Sequence, residues 1–279
     1  MSKSDSNPLN IDVISIQSQV VYGMVGNNAV VPVLQAHGLN VCIVPTVYLS
    51  NSPLYNSLHG GVIPEDWFTG YLQAIEDRGV LNKCRSILLG YLGSSAQADI
   101  LSTWLAKVQQ QHPHITIQID PVLGDIDCGF YVDQSLNQAY REKLRYLAHG
   151  MTPNHFELEC LCGEKLQSLE QTIAGARSLL SEQTQWIITT SAAPETWQEG
   201  QMQILIVQKD GYEVQSHAYY KTSAQGTGDT FASTLAAQML KGKSLSEATR
   251  LASEQVVRTI LRTNAEDSNE LQLIATLQQ

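Results

Sequence analysis

Apolar residues follow two periods along this chain, and the two interleave. Short runs alternate apolar and polar or are apolar throughout, as strands do, while longer runs repeat every three to four positions, as helices do. Residues 11–16 and 39–44 read as strands, with a helix over 29–36 between them that closes near Gly38. Pro64, Glu65 and Asp66 open a further helix, with proline and acids in the first turn where the helix dipole favours them. Residues 86–89 form a short buried strand before a helix over 95–110, and residues 115–119 alternate as the next strand. A loop to Val132 then leads into a helix expected to run through Ala148, and Thr152 closes a short strand. Residues 186–190 form another strand, and 202–208 pairs with 213–220 across a turn at Asp210 and Gly211. Strands alternating with helices predict a three-layer α/β/α fold with a mainly parallel central sheet, whose ligands sit beyond the carboxyl ends of the strands. No repeat, low-complexity tract or linker divides the chain. Residues 1–279 are therefore expected to form a single domain, with 1–10 as a flexible tail.

One loop stands out against this pattern. Gly226, Thr227, Gly228 and Asp229 lead directly into an apolar helical run in which Phe231, Leu235 and Met239 recur every four residues beside Ala232, Ala236 and Leu240, ending at Lys241 and Gly242. Two glycines before a first helical turn let the chain approach a ligand closely, and the unpaired amides of that turn suit an anion. Asp229 would stand beside that anion as a base; the alternative is that Asp229 or Thr230 merely caps the helix. Two commoner nucleotide loops do not fit. Gly242, Lys243 and Ser244 end like a P-loop, but Ala237 occupies the position of its first glycine and a helix precedes it. Phe231 stands where a dinucleotide fingerprint needs its third glycine.

Other segments fit the same chemistry. The first strand runs into Gln17, Ser18, Gln19, Val20 and on through Gly23, Val25, Gly26 and Asn27; a second segment spans 46–51. Asp120 follows the strand at 115–119, and Asn154 precedes Glu157 in an N-x-x-E spacing. With the G-T-G-D loop, these segments resemble the ribokinase-like superfamily and, within it, the pyridoxal kinase family, over nearly the whole chain. The resemblance implies ATP-dependent phosphorylation of the 5′-hydroxymethyl group of pyridoxal, pyridoxine and pyridoxamine. It implies that Asp229 deprotonates that alcohol while Gly226, Thr227 and Gly228 surround the transferred phosphoryl. Such a base, within hydrogen-bond reach, contributes on the order of 10²–10⁴-fold.

The resemblance also assigns the rest of a site. Asp120, Thr152, Glu157 and Tyr131 would organise Mg²⁺ near the β- and γ-phosphates, since magnesium prefers hard oxygen ligands and water-mediated contacts. Asp120, Thr152, Thr190 and Thr227 would meet the nucleotide phosphates, and His217, Ala218, Tyr219 and Tyr220 the adenine side. For Asp120 a turn role, and for Thr190 a strand-end threonine satisfying its own backbone, are the alternatives. Ser18, Val25, Tyr91 and Leu54 would line the vitamin pocket with Glu157 and Asp229 behind, because a pyridine ring needs a flat apolar contact and a polar group. Some relatives carry a histidine close to Leu54, so the preference among the three vitamers stays open, as does a monovalent cation beside Mg²⁺. The loop around Asp125, Asp127, Cys128 and Gly129 is expected to act as a flap over ATP that excludes water. Close rivals are a hydroxymethylpyrimidine kinase and a sugar kinase; from another class, a vitamin-binding protein of the same fold without catalysis.

Composition narrows partners and compartment. A net charge of −10, from 27 acidic against 17 basic residues without basic clusters, argues against a nucleic-acid surface. No apolar run approaches the ~18 residues a membrane span needs. Five scattered cysteines and a start without an apolar signal region suit a reducing cytoplasm. His59, His112, His114 and His155 match no metal-binding spacing and are expected to be structural or superficial. Cys160 and Cys162 are expected to lie buried on a helix. The resemblance implies a homodimer.

Overall fold

The computed structural model describes residues 9–277, so most of the tail expected at 1–10 lies outside the described residues. In chain order the elements are β1 (Val13–Val20), α1 (Asn27–Ala36), β2 (Val41–Leu49), β3 (Gly60–Val62), α2 (Glu65–Asp77), β4 (Ser86–Leu89) and α3 (Ser95–Gln111). There follow β5 (Thr116–Ile119), β6 (Gly124–Asp125), β7 (Gly129–Phe130), α4 (Gln134–Glu142), β8 (Gly150–Met151), α5 (His155–Cys162) and α6 (Leu169–Ser178). The chain closes with β9 (Trp186–Thr189), β10 (Gln201–Gln208), β11 (Gly211–Ala218), α7 (Thr227–Leu240), α8 (Leu245–Ala265) and α9 (Ile274–Leu277).

Nine strands form one sheet in the order β11-β10-β9-β8-β5-β4-β1-β2-β3. The run from β2 to β9 is parallel, and the antiparallel pairs β2–β3, β9–β10 and β10–β11 close its two ends. Two reversals restore the direction, so β11 points the same way as β9 and its carboxyl end joins the same edge as those of β1, β4, β5, β8 and β9. Strand order reverses at β1, which pairs with β2 on one side and β4 on the other. A crevice forms at such a switch point.

The two faces of the sheet are read directly from alternate residues. Ile14, Ile16, Ile87, Leu89, Ile117, Ile119, Ile187, Leu205 and Val207 pack with Phe68, Leu101, Leu105, Tyr140, Leu158 and Ile173 from α2 to α6. On the opposite face Trp186, Ile188, Ile204 and Ile206 meet Phe231 and Leu235 of α7 and Ala248 and Ala252 of α8. There too, Val13 and Leu88 meet Val30 and Leu34 of α1 and Ala232 of α7. Wedged between α1 and α8, α7 is buried on more than one side, and its small residues let the neighbouring helices close in. Serine side chains begin three helices: Ser94, Ser168 and Ser244 accept from the amides of Gln97, Gln171 and Glu247.

Three local expectations need correction. The helix predicted through Ala148 stops at Glu142, where Lys143 leaves helical geometry, and a 3₁₀ turn over Leu144–Leu147 delivers the chain to β8. The tight turn of the β10–β11 hairpin is Lys209 and Asp210, because Gly211 already pairs with Gln208. Cys160 and Cys162 do lie on α5, but both are half-buried.

Candidate active site

Along the carboxyl edge of the sheet stand Asp120 after β5, Thr152 after β8, Thr190 after β9 and Tyr91 after β4, with Ser18 near the end of β1. Residues 217–220 occupy the same edge at the β11 end, six strands away from β1. The topology therefore arranges the expected nucleotide residues and vitamin residues in a row, with the β4–β1 crevice at one end.

The G-T-G-D loop sits over this edge. Gly226 is the residue before α7 and adopts φ 98°, with no side-chain acceptor satisfying the first turn. A Cβ there would fall 2.0 Å from the Met24 carbonyl oxygen, so glycine is required both for the torsion and for the close approach. The capping alternative fails on geometry. Thr230 Oγ1 donates back to the Gly226 carbonyl at 2.9 Å, and Asp229 reaches away from its own helix to accept the Gly26 amide at 2.8 Å on Oδ2. With Oδ2 held, Oδ1 is the oxygen left to take a proton. Burial raises the Asp229 carboxyl to about 6, opposed by the Gly26 hydrogen bond.

Gly26 itself is folded onto Ser18. It has φ 56°, and a Cβ there would meet Ser18 Oγ at 2.2 Å and the Ser18 carbonyl oxygen at 2.4 Å. Beneath it lies a buried polar network: Gln17 Nε2 donates to Ser15 Oγ at 2.7 Å, Ser15 donates to Asn27 Oδ1 at 2.7 Å, and Asn27 Nδ2 donates to the Gln17 carbonyl at 3.1 Å. Fully satisfied networks of this kind fix one arrangement, and here they fix the start of α1 and the amide that holds the base.

Asp120 is 7% exposed and approaches the loop from below: its Oδ2 lies 3.7 Å from where a Gly228 Cβ would be. Thr152 Oγ1 donates to its other oxygen at 2.7 Å. Burial, and secondarily the nearby Asp229 charge, push its carboxyl up to about 7 against that hydrogen bond. Glu157 is buried too, and burial followed by the Asp120 charge raises it well above the ordinary range. Its oxygens accept the amides of Leu123 at 3.0 Å and Asn154 at 2.8 Å, completing a capping box with Asn154. Asn154 Nδ2 donates to the Gly124 carbonyl at 2.8 Å, so Glu157 and Asn154 together anchor the β6–β7 hairpin that forms the expected flap.

Magnesium fits this donor set as a water- and phosphate-bound ion. Asp120 offers a hard oxygen at the loop, and a divalent cation would offset the burial that, with the Asp229 charge on Asp120 and the Asp120 charge on Glu157, raises both carboxyls. Glu157, held by backbone amides, would act through water. Among the described residues no three acidic, histidine or cysteine side chains converge into a cage, and magnesium typically takes one or two carboxylates and completes its shell with waters and phosphates. Tyr131 lies on the wall of a cavity of about 240 Å³ shared with Tyr91, Ser94 and Asp133. Burial, then the charge of Asp125, raises its phenol, which keeps it a neutral contact.

The other expected residues stand as follows. Val25 and Thr227 are half-buried beside the loop, whereas Leu54 is exposed on the segment between β2 and β3. The Thr190 amide donates to the Pro153 carbonyl at 3.0 Å. At the end of β11, Tyr219 packs at a tilt against Trp197 with centroids 6.0 Å apart, and burial lowers the His217 pKa. His155 is structural, accepting from the Ala193 amide and contacting the Leu166 carbonyl. Sequence reasoning missed three features: the Gly26 amide on Asp229, the left-handed backbone of Ser191 and Ala193 beside Thr190, and Glu270. Only the first carries a sequence signal, in the glycines of the opening segment. Strained backbone beside a site is common, but it is invisible in residue type.

This sheet, with an anion-ready helix start that carries the Asp229 carboxylate in its own first turn and the acids Asp120 and Glu157 nearby, has the layout of a ribokinase-like phosphotransferase that acts on an alcohol. Comparison with known proteins narrows the class. A family model described as phosphomethylpyrimidine kinase matches residues 26–271. The chain is 48% identical over 270 residues to a pyridoxine/pyridoxal/pyridoxamine kinase of Bordetella pertussis, covering 97% of this chain and 95% of that one. Pyridoxal kinase from Entamoeba histolytica shares the fold, with a TM-score of 0.89 at 21% identity and coverage of 97% and 95%. Pyridoxal kinase from Leishmania donovani, solved with ADP and pyridoxamine, gives 0.87 at 25% identity, covering 96% and 95%. The chain belongs to the pyridoxal kinase family.

Proposed function

We propose that this protein transfers the γ-phosphoryl group of ATP to the 5′-hydroxymethyl oxygen of pyridoxal, pyridoxine and pyridoxamine. The observation that carries the reading is the placement of Asp229, which stands within the anion-ready turn with Oδ2 held by the Gly26 amide, leaving Oδ1 for the alcohol. The alcohol oxygen attacks the γ-phosphorus, the bond to the bridging oxygen breaks, ADP departs, and the alcohol proton passes to Asp229. Developing charge on the phosphoryl oxygens is met by the amides of 227–229 at the start of α7. A magnesium ion near Asp120 would offset charge on the β- and γ-phosphates. Thr190 and residues 217–220 would receive the nucleotide, Ser18, Val25 and Tyr91 the pyridine ring, and the β6–β7 hairpin would close over the phosphates.

A second reading, phosphorylation of hydroxymethylpyrimidine, is favoured by the description of the matching family model. The stronger likeness to a B6 vitamer kinase over nearly the whole chain favours the first. A coupled ADP-release assay on the three vitamers and the pyrimidine alcohol decides between them: pyridine alcohols are expected to turn over, and exclusive use of the pyrimidine would overturn the proposal. In the same assay Asp229→Asn is expected to lower kcat by about 10²–10⁴-fold while nucleotide still binds; near-normal turnover would remove Asp229 from its role.

We further propose a homodimer in a reducing cytoplasm. Ile43 and Tyr48 of β2, Val62 of β3, and Tyr22 and Leu58 nearby in the chain are exposed apolar side chains toward one end of the sheet, and all five cysteines are unpaired. No helix among the described residues is long and apolar enough to cross a membrane.

A further inference from the structure

Glu270 joins three segments that are far apart in sequence. One oxygen of its carboxylate accepts the Met24 amide at 2.9 Å, and the other accepts the Tyr55 hydroxyl at 2.7 Å. The same carboxylate lies over Gly23, 3.1 Å from where a Cβ would stand, and Gly23 has φ 119°. The segment carrying Glu270 is itself fixed. Ser268 Oγ donates to the Glu270 carbonyl at 2.8 Å, and the next residue, Leu271, is 2% exposed in a cluster with Ala29, Val33 and Ala224.

Met24 is thereby pinned from both sides. Its amide is held by Glu270, while its carbonyl oxygen fills the space that a Gly226 Cβ would need. Two residues on, the Gly26 amide holds Asp229. The stretch 24–26 is a short bracket between Glu270, the phosphoryl turn and the base. Tyr55 adds a second arm, because it belongs to the 50–59 segment that carries Leu54. Its hydroxyl stays a proton donor, since the hydrogen bond to Glu270 raises the phenol. Tyr22 stacks edge-on against Tyr55 with centroids 5.8 Å apart, which closes the same seam.

We propose that Glu270 is a positioning residue for phosphoryl transfer: through Met24 it sets the Gly26 amide that orients Asp229, and through Tyr55 it ties down the 50–59 segment, which the family resemblance sets beside the vitamin. The proposal rests on the reaction proposed above, and it separates two kinetic effects. Misplacing a reacting group by about an ångström can cost on the order of a hundredfold in rate, so loosening the Met24 arm acts on kcat. Loosening the Tyr55 arm acts on vitamin KM.

Two variants test this in the full chain. Glu270→Gln keeps the side-chain volume but offers one acceptor for two donors; it is expected to lower kcat about tenfold, leave KM for ATP unchanged and speed amide hydrogen exchange in residues 22–26. Tyr55→Phe is expected to raise vitamin KM severalfold with kcat near wild type. Wild-type kcat and unchanged exchange in Glu270→Gln would overturn the proposal, and so would a purely kcat effect in Tyr55→Phe. The exchange readout needs no turnover, and a wild-type protein inactive on vitamers would refute the reaction rather than the bracket.

Discussion

Asp229 works under two opposed influences, and the balance between them makes a prediction about pH. Burial destabilises its carboxylate and the Gly26 amide stabilises it, leaving the group at about 6 rather than the ordinary 3.8. A base must be deprotonated to act, so kcat/KM is expected to fall as pH drops through about 6 and to level above 7. A pH profile of kcat/KM checks this, and a flat profile from pH 5 to 7.5 would contradict the assignment. Asp120, raised to about 7, feels the Asp229 charge, and Glu157 in turn feels that of Asp120. In the protein without nucleotide, both favour their neutral forms as pH falls. A magnesium ion would reverse that preference by supplying the opposite charge.

At the level of elements, α7 ties the chemistry to the core. Its first turn faces the site while Phe231 and Leu235 lie in the layer beneath, so the turn has little freedom to shift by itself. Gly226→Ala would place a Cβ 2.0 Å from the Met24 oxygen at φ 98°. The variant is expected to be destabilised by about 2–4 kcal/mol in urea unfolding and to lose at least about tenfold in kcat. Gly211→Ala is the control, since a Cβ there meets open space, and it is expected to change stability by less than about 0.5 kcal/mol. Equal effects in the two variants would mean that the turn is not strained as described.

For the whole molecule, the apolar end of the sheet bears on association. Ile43, Tyr48 and Val62 expose 44%, 51% and 47% of their surface, and β3 leaves an unpaired strand edge beside them. Exposed apolar surface on an edge favours association. Light scattering at micromolar concentration is expected to give twice the 30.7 kDa chain mass, and Tyr48→Lys to shift the population toward monomer. Monomer alone in the wild-type protein would exclude the homodimer.

The α/β class and eight of the eleven strands were legible in the sequence, because hydrophobic period depends only on local geometry and on which side of an element faces the core; β3, β6 and β7, two or three residues each, are too short to show a period. The G-T-G-D loop was legible for a similar reason: glycine before a helix is a local requirement of torsion and close approach. The end of α4 at Glu142 was not, since the apolar pattern continues and only the need to return to β8 ends the helix. Nor could spacing decide whether Asp229 caps its own helix. That depended on Gly26, 203 residues away in sequence, whose amide reaches the carboxylate only once α1 and α7 are packed against each other. Glu270 belongs to the same class, a polar residue in an unremarkable stretch whose two partners are assembled by tertiary contacts alone. Sequence determined the elements and the candidate chemistry through short-range periodicity and backbone sterics. Packing decided which groups meet, because hydrogen bonds between distant segments exist only where the folded core holds them in place.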